Sequence, residues 1–324
     1  MQKVCSVAVG TIWSHPDKAR DIDELALSNP VNIQKWLLCL NLEEKQSFCE
    51  ELRIDTQVLY GERVEVIEEI GEWSKVVCID QPSKKHELGY PGFIKTNQLS
   101  DKNVRGFSKY VRIIAPKALA YRVNEDQFDK QFTQPLMPLS FNTVLPYLST
   151  EEASNINHFE QHYIVDSPHG KLRINANDCV IQADMVTGRD DRFSKLYDAA
   201  KQYIDLGYLW GGMSSYGYDC SGFVYQMYRH VGYTLPRDAD EQYQSTMKVE
   251  KKDLIPGDLV FFSNEKDIEK ISHVGIYIGS GMMIHSPNTP KSIEEVTIDS
   301  GYYNDTYVGG SRVYESLTHQ LRET

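Results

Sequence analysis

The stretch "YLWGGMSSYGYDCSGFVYQMYRHVGY", residues 208–233, runs from a Gly- and Tyr-rich loop straight into an apolar segment. Phe223, Val224, Met227, Tyr228 and Val231 recur at three- and four-residue steps, which predicts a buried helix with Cys220 at its N-terminus. Unpaired N–H groups and the positive end of the helix dipole favour thiolate over thiol at such a position. Gly211, Gly212 and Gly217 would let the loop backbone come close to a substrate, and Gly222 would leave room beside the helix start. Cys5, Cys39, Cys49, Cys78 and Cys179 sit in ordinary apolar settings. The six cysteines form no CxxC pair, so free thiols in a reducing compartment are expected rather than a disulfide framework or a zinc ribbon.

The chain has 324 residues, 41% of them hydrophobic and 25% charged, enough for two or three ordinary cores. A formal net charge of -12 without a basic cluster argues against a nucleic-acid partner, whose phosphates are bound by grouped Lys and Arg. The longest apolar run considered, "WLLCL" at 36–40, is far short of the roughly 18 residues of a membrane span. At the N-terminus, Lys3 precedes an apolar stretch broken by Ser6 and Gly10, which does not read as an export signal. A soluble, cytoplasmic, monomeric protein is expected, although a secreted form with its leader removed would read the same.

Residues 57–80 alternate apolar and polar positions, with turns at Gly61 and Gly71, and "GYPGFIKTNQL" adds a strand after a Pro-Gly turn. Between a first strand near residues 3–13 and this region, "NPVNIQKWLLCLNLEEKQSFCEEL" reads as two short helices. Pro30 suits a first helical position there, and Asn41 with Glu44 suits a capping box. Residues 109–183 repeat the plan in order, though weakly in identity, with "DSPHG" as a hairpin turn. "MVTGRDDRF" at 185–193 reads as a linker, and a helical stripe from Phe193 to Tyr203 leads back to the Cys220 loop.

A thiol nucleophile needs a proton carrier and a group to orient it. Of nine histidines, His273 opens one apolar strand and His285 ends the next, joined through "GSG". A two-residue loop would put them on opposite faces. A three-residue loop, Gly279 to Gly281, would pair His285 with Gly275 and leave His273 its same-face diagonal neighbour, and this is the expected geometry. One Cys and two His have no fourth ligand at the spacing of a structural zinc site, so no metal is expected. His15, His86, His158, His162, His169, His230 and His319 are expected to be structural.

"YLWGG…DCSGFVYQMY", "LPRDADEQ", "PGDLVFF", "SHVGIYIG" and "MIHS", in this order, strongly resemble the NlpC-type (NlpC/p60) papain-like cysteine peptidases of bacterial cell-wall peptides. The resemblance covers about residues 190–315. It implies Cys220 as nucleophile, His273 as general base, His285 as the residue that orients it, and Tyr208 as a helper near the oxyanion, together with the Cys220 backbone N–H. The first half resembles bacterial SH3-type domains. The implied fold is α+β: a first barrel with a helical insertion (1–108), a second barrel (109–184) and a papain-like catalytic domain (185–324).

The pair of barrels narrows the resemblance to γ-D-glutamyl-L-diamino-acid endopeptidases of the dipeptidyl-peptidase VI type, in which the first barrel walls off the cleft and selects a free N-terminal L-Ala. On that pattern Glu62 in "LYGE", Tyr90 in "YPGF" and Asp238 in "PRDA" would meet the substrate amine, and Trp210, Asp219 and Ser221 would line the cleft. Each also has a plainer role: Glu62 as a hairpin residue, Tyr90 as barrel packing, Trp210 as core, and Asp238 as a helix N-cap with Glu241 three residues on. Ala239 follows Asp238 where a hydroxyl would help bind a carboxylate. The implied substrates are short murein peptides, L-Ala-γ-D-Glu-diamino acid, with diaminopimelate and Lys both open at the last position and no cofactor. An amidase or acyltransferase on the same scaffold is one alternative and a non-catalytic wall-binding protein the other.

Overall fold

The computed structural model describes residues 1–102, 107–123, 135–155, 158–182, 189–264 and 267–313. Residues 185–188 of the expected linker and the junction at 184–185 lie outside these residues, as does His319.

The alternating first half forms two antiparallel seven-stranded sheets. The first comprises β1 (Gln2–Cys5), β2 (Val9–Trp13), β3 (Ile54–Leu59), β4 (Arg63–Ile70), β5 (Trp73–Cys78), β6 (Tyr90–Lys95) and β7 (Leu99–Ser100). The second comprises β8 (Tyr110–Ile113), β9 (Lys117–Arg122), β10 (Met137–Ser140), β11 (Val144–Asn155), β12 (His158–Val165), β13 (Leu172–Asn175) and β14 (Cys179–Ile181). Their spatial orders are β3-β2-β6-β5-β4-β1-β7 and β10-β9-β13-β12-β11-β8-β14. Counting each set from its own first strand, the two orders are identical, so the repeat read in the sequence is a repeat of topology. Ala8 and Tyr60 from the first set share one core with Val111, Leu139, Leu145, Val165 and Leu172 of the second. His169 is structural there: its Nδ1 lies 2.8 Å from the Tyr60 hydroxyl, and the rings stack.

Between β2 and β3 lie three helices, α1 (Glu24–Leu27), α2 (Ile33–Cys39) and α3 (Leu42–Glu50). Asn41 accepts from Glu44 N at 2.9 Å while Glu44 accepts from Asn41 N at 2.7 Å, the expected capping box. Two local expectations are corrected. Pro30 precedes the helix, which starts at Ile33, and Pro91 lies inside β6 rather than in a turn before it.

The second half holds α4 (Arg189–Lys201), α5 (Cys220–His230), α6 (Ala239–Gln244) and α7 (Gly301–Asp305), with the short hairpin β15 (Met213–Ser214) and β16 (Gly217–Tyr218). Its six-stranded sheet comprises β17 (Met247–Val249), β18 (Leu259–Asn264), β19 (Asp267–Gly279), β20 (Met282–His285), β21 (Glu294–Thr297) and β22 (Tyr307–Arg312), in the order β17-β22-β18-β19-β20-β21. The helix α4 starts at Arg189, so the last residues of the stretch read as a linker are helical.

The compact units do not follow one cut in the chain. One unit contains Met1–Cys39, Gln57–Cys78 and Gly92–Met185, and the other contains Leu40–Thr56, Ile79–Pro91 and Val186–Thr324. Two excursions from the first half therefore belong to the unit that holds Cys220. Trp210 shows one cause: its indole N–H donates to the Ile54 carbonyl at 2.9 Å.

Candidate active site

Cys220 is the first residue of α5, and Asp219 is its N-cap, with Oδ1 accepting from Gly222 N at 2.7 Å. A Cβ on Gly222 would lie 2.2 Å from the Gly212 carbonyl oxygen, so only glycine lets the helix start against the loop. The same holds inside the loop: side chains at Gly211, Gly212 and Gly217 would strike Ile54, Gly217 and Leu209. These glycines admit protein backbone and side chains packed against the loop.

The helix packs on β19, and the amides of Ser221 and Val274 hydrogen-bond the Cys220 sulfur. The thiol therefore lies against the residue that follows His273. Its pKa is nevertheless pushed up to about 12, first by burial and then by Asp219, with the two amides and Arg237 only partly offsetting this. Burial, with Lys291 behind it, lowers His273 to about 4. Burial and His273 hold His285 well below the ordinary range. Burial thus disfavours both the thiolate and the imidazolium forms, working against the thiolate that the helix start alone would favour.

His273 Nε2 and His285 Nδ1 are 2.7 Å apart, and His285 is fully buried. In the hairpin, Ile276 faces Ile284, which continues to Gly275 against His285. A Cβ on Gly275 would come within 3.2 Å of His285 Cβ, so the glycine makes room for the second histidine. The register is the one expected, reached differently. Gly279 pairs with Met282, leaving the two-residue loop Ser280–Gly281 with positive φ at both, and a bulge between Tyr277 and Gly279 restores the register.

Tautomers follow from these contacts. If His273 takes a proton from the Cys220 sulfur on Nδ1, its Nε2–H donates to His285 Nδ1. His285 then carries its proton on Nε2, facing the Tyr303 hydroxyl at 3.4 Å and Glu294 Oε1 at 3.7 Å. Neither Tyr303 nor Glu294 was singled out from the sequence. Glu294 is the β-partner of His285, a pairing that a known register would have revealed. Tyr208 is half-buried near Cys220, and desolvation and that sulfur raise its pKa well above the ordinary value, so it keeps its proton as a donor.

The carboxylate of Asp219 and the hydroxyl of Ser221, both expected to line the cleft, are occupied internally. Arg237, buried and missed in the sequence, binds Asp219 through Nη1 at 3.1 Å and Nη2 at 2.5 Å, and Ser221 Oγ at 2.9 Å. Its Nε donates to Thr56 at 2.9 Å. Trp210 is anchored on Ile54 as described.

Asp238 is the N-cap residue of α6 by position, but its side chain makes no capping bond. Instead Tyr90 donates to it, 3.1 Å from Oδ1, and Lys85 Nζ lies 2.9 Å from Oδ2. The fold therefore brings Tyr90 and Asp238 together. Glu62 belongs to the other unit, where it is buried and its Oε2 accepts from Leu59 N at 2.8 Å, closing the turn into β4. Among the described residues no group of three or more His, Cys, Asp or Glu could hold a metal ion, and no helix is long and apolar enough to cross a membrane.

The NlpC/P60 family model matches residues 206–312. The chain is 36% identical to a γ-D-glutamyl-L-lysine dipeptidyl-peptidase of Bacillus subtilis over 91% of this chain and 93% of the relative. It is 34% identical to the Bacillus cereus protein of the same name, over 94% and 89%. The crystal structure of an NlpC/P60 family protein from Bacillus cereus superposes with a TM-score of 0.85 at 32% identity, covering 96% of this chain and 99% of that one. With the cysteine, the histidine pair and the whole-length relatives in agreement, the chain belongs to the NlpC/P60 family.

Proposed function

We propose that the protein is a cysteine peptidase that hydrolyses the bond between γ-D-Glu and the diamino acid in short murein peptides bearing a free N-terminal L-Ala. The observation that carries this reading is the His273–His285 contact at 2.7 Å beside the N-terminal thiol of α5, in a chain whose whole-length relatives are named dipeptidyl-peptidases for that bond. His273 takes the proton from Cys220, and the sulfur attacks the γ-carbonyl of D-Glu. The Tyr208 hydroxyl and the Cys220 amide hold the developing oxyanion. His273 then gives the proton to the departing amine, leaving a thioester. Water, deprotonated by His273, releases L-Ala-D-Glu and restores the thiol.

The Tyr90–Asp238 pair is read as the subsite for the substrate's N-terminal ammonium. Glu62 is assigned to its turn, and Asp219 and Ser221 to positioning of the helix start. The identical strand orders of the first half support reading its two sheets as SH3-type barrels, and the free thiols suit a cytoplasmic enzyme acting on released peptides.

The test is product analysis with L-Ala-γ-D-Glu-L-Lys and its diaminopimelate counterpart. Release of L-Ala-D-Glu and the free diamino acid is expected from at least one. Intact tripeptides alongside turnover of another amide would overturn the substrate assignment.

A further inference from the structure

The Tyr90–Asp238 pair already holds a primary ammonium. Lys85 Nζ lies 2.9 Å from Asp238 Oδ2, hydrogen-bonds the Tyr90 hydroxyl and stands 4.1 Å above the centre of the Tyr90 ring. A carboxylate, a phenol oxygen and an aromatic face are the groups that recognise R–NH₃⁺. The backbone that carries Lys85 is tied down. Glu241 accepts from Lys84 N at 3.1 Å and from Ser83 Oγ at 3.3 Å, so departure of the Lys85 side chain does not require the loop to move.

We propose that the Lys85 ammonium is an internal stand-in for the N-terminal ammonium of the peptide, occupying the Asp238–Tyr90 subsite until a substrate amine displaces it. The inference rests on the reading of that subsite given above. Displacement is easy because the ion pair is screened, with side-chain exposures of 43% for Lys85 and 28% for Asp238. Leaving the position empty has a cost. Burial raises the Asp55 carboxyl, Lys85 and Arg237 lower it and Asp238 raises it, so loss of the Lys85 cation removes one of the two charges that offset the Asp55–Asp238 repulsion. A free-amine peptide replaces one ammonium by another. An acetylated peptide has none to offer and leaves Lys85 in its way, so the lysine sharpens selection against blocked N-termini.

The experiment compares wild type, K85M and K85R on L-Ala-γ-D-Glu-L-Lys or its diaminopimelate counterpart, whichever is cleaved, and on the same peptide acetylated at L-Ala. Methionine keeps an apolar stem over Tyr90 and removes the charge. The KM of K85M for the free-amine peptide is expected to fall about two- to five-fold, the range of a screened ion pair, with kcat unchanged. Its preference for the free over the acetylated peptide should shrink, while K85R should behave as wild type. A KM that rises in K85M would make Lys85 a substrate contact, and an unchanged KM would make it a bystander; either overturns the proposal. If wild type cleaves free and acetylated peptides equally, the amine subsite itself fails. Discrimination in wild type with an unaltered K85M refutes only the role of Lys85.

Discussion

At the residue scale, the chemistry proposed above requires a neutral His273 whose proton is confined to Nε2. His285 secures this by presenting Nδ1 as an acceptor at 2.7 Å. The variant H285A removes that acceptor and should lower kcat by on the order of 10³-fold, within the range for loss of an orienting triad partner. H285N can present its amide oxygen instead and should recover part of the loss, measured as kcat at fixed pH. Equal losses in the two variants would remove the orienting role. Cys220 and both histidines were legible in the sequence because each signal is local: a helical stripe, a Gly-rich loop, and two apolar strands around "GSG". The burial that pushes the thiol up and His273 down was not, because it is set by packing and not by the helix end.

At the element scale, the start of α5 is fixed by a buried ion pair. Arg237 is 1% exposed and reaches Asp219, Ser221 and Thr56. Methionine at 237 would strand the Asp219 carboxylate, and R237M should lose about 3–5 kcal/mol of unfolding free energy in denaturant titration. A loss under about 1 kcal/mol would mean that the N-cap and water satisfy Asp219 alone. Arg237 was not legible because its partners lie 18, 16 and 181 residues away in sequence. Lys85 was hidden because its carboxylate partner, Asp238, lies far along the chain and no pattern surrounds this charged loop residue. The hairpin shows the opposite case. The His273–His285 face was predictable because a register has only two side-chain outcomes, although the bulge that sets it was not.

At the scale of the whole molecule, two excursions, Leu40–Thr56 and Ile79–Pro91, belong to the catalytic unit, an assignment made by contacts that no local periodicity encodes. Two buried neutral histidines also tie that unit's stability to pH. His273 is held at about 4 against an ordinary 6.5, so between these values the unfolded chain binds the proton and the folded one does not. His285 is depressed in the same sense. Stability is therefore fully present above pH 6.5 and falls as pH drops towards 4, by about 3 kcal/mol for His273 alone. Asp55, raised to about 6 from 3.8, acts in the opposite direction across part of that window. The double variant H273N/H285N should lose much less stability than wild type over this range in denaturant melts, and parallel curves would refute the assignment.

The account turns on a covalent bond between Cys220 and the L-Ala-γ-D-Glu acyl group. Acid quench of the enzyme during turnover of the tripeptide, followed by peptide mapping by mass spectrometry, tests it directly. The acyl mass is expected on the peptide containing Cys220 and is expected to vanish in C220A along with activity. An adduct on another cysteine, or continued release of L-Ala-D-Glu by C220A, would contradict it.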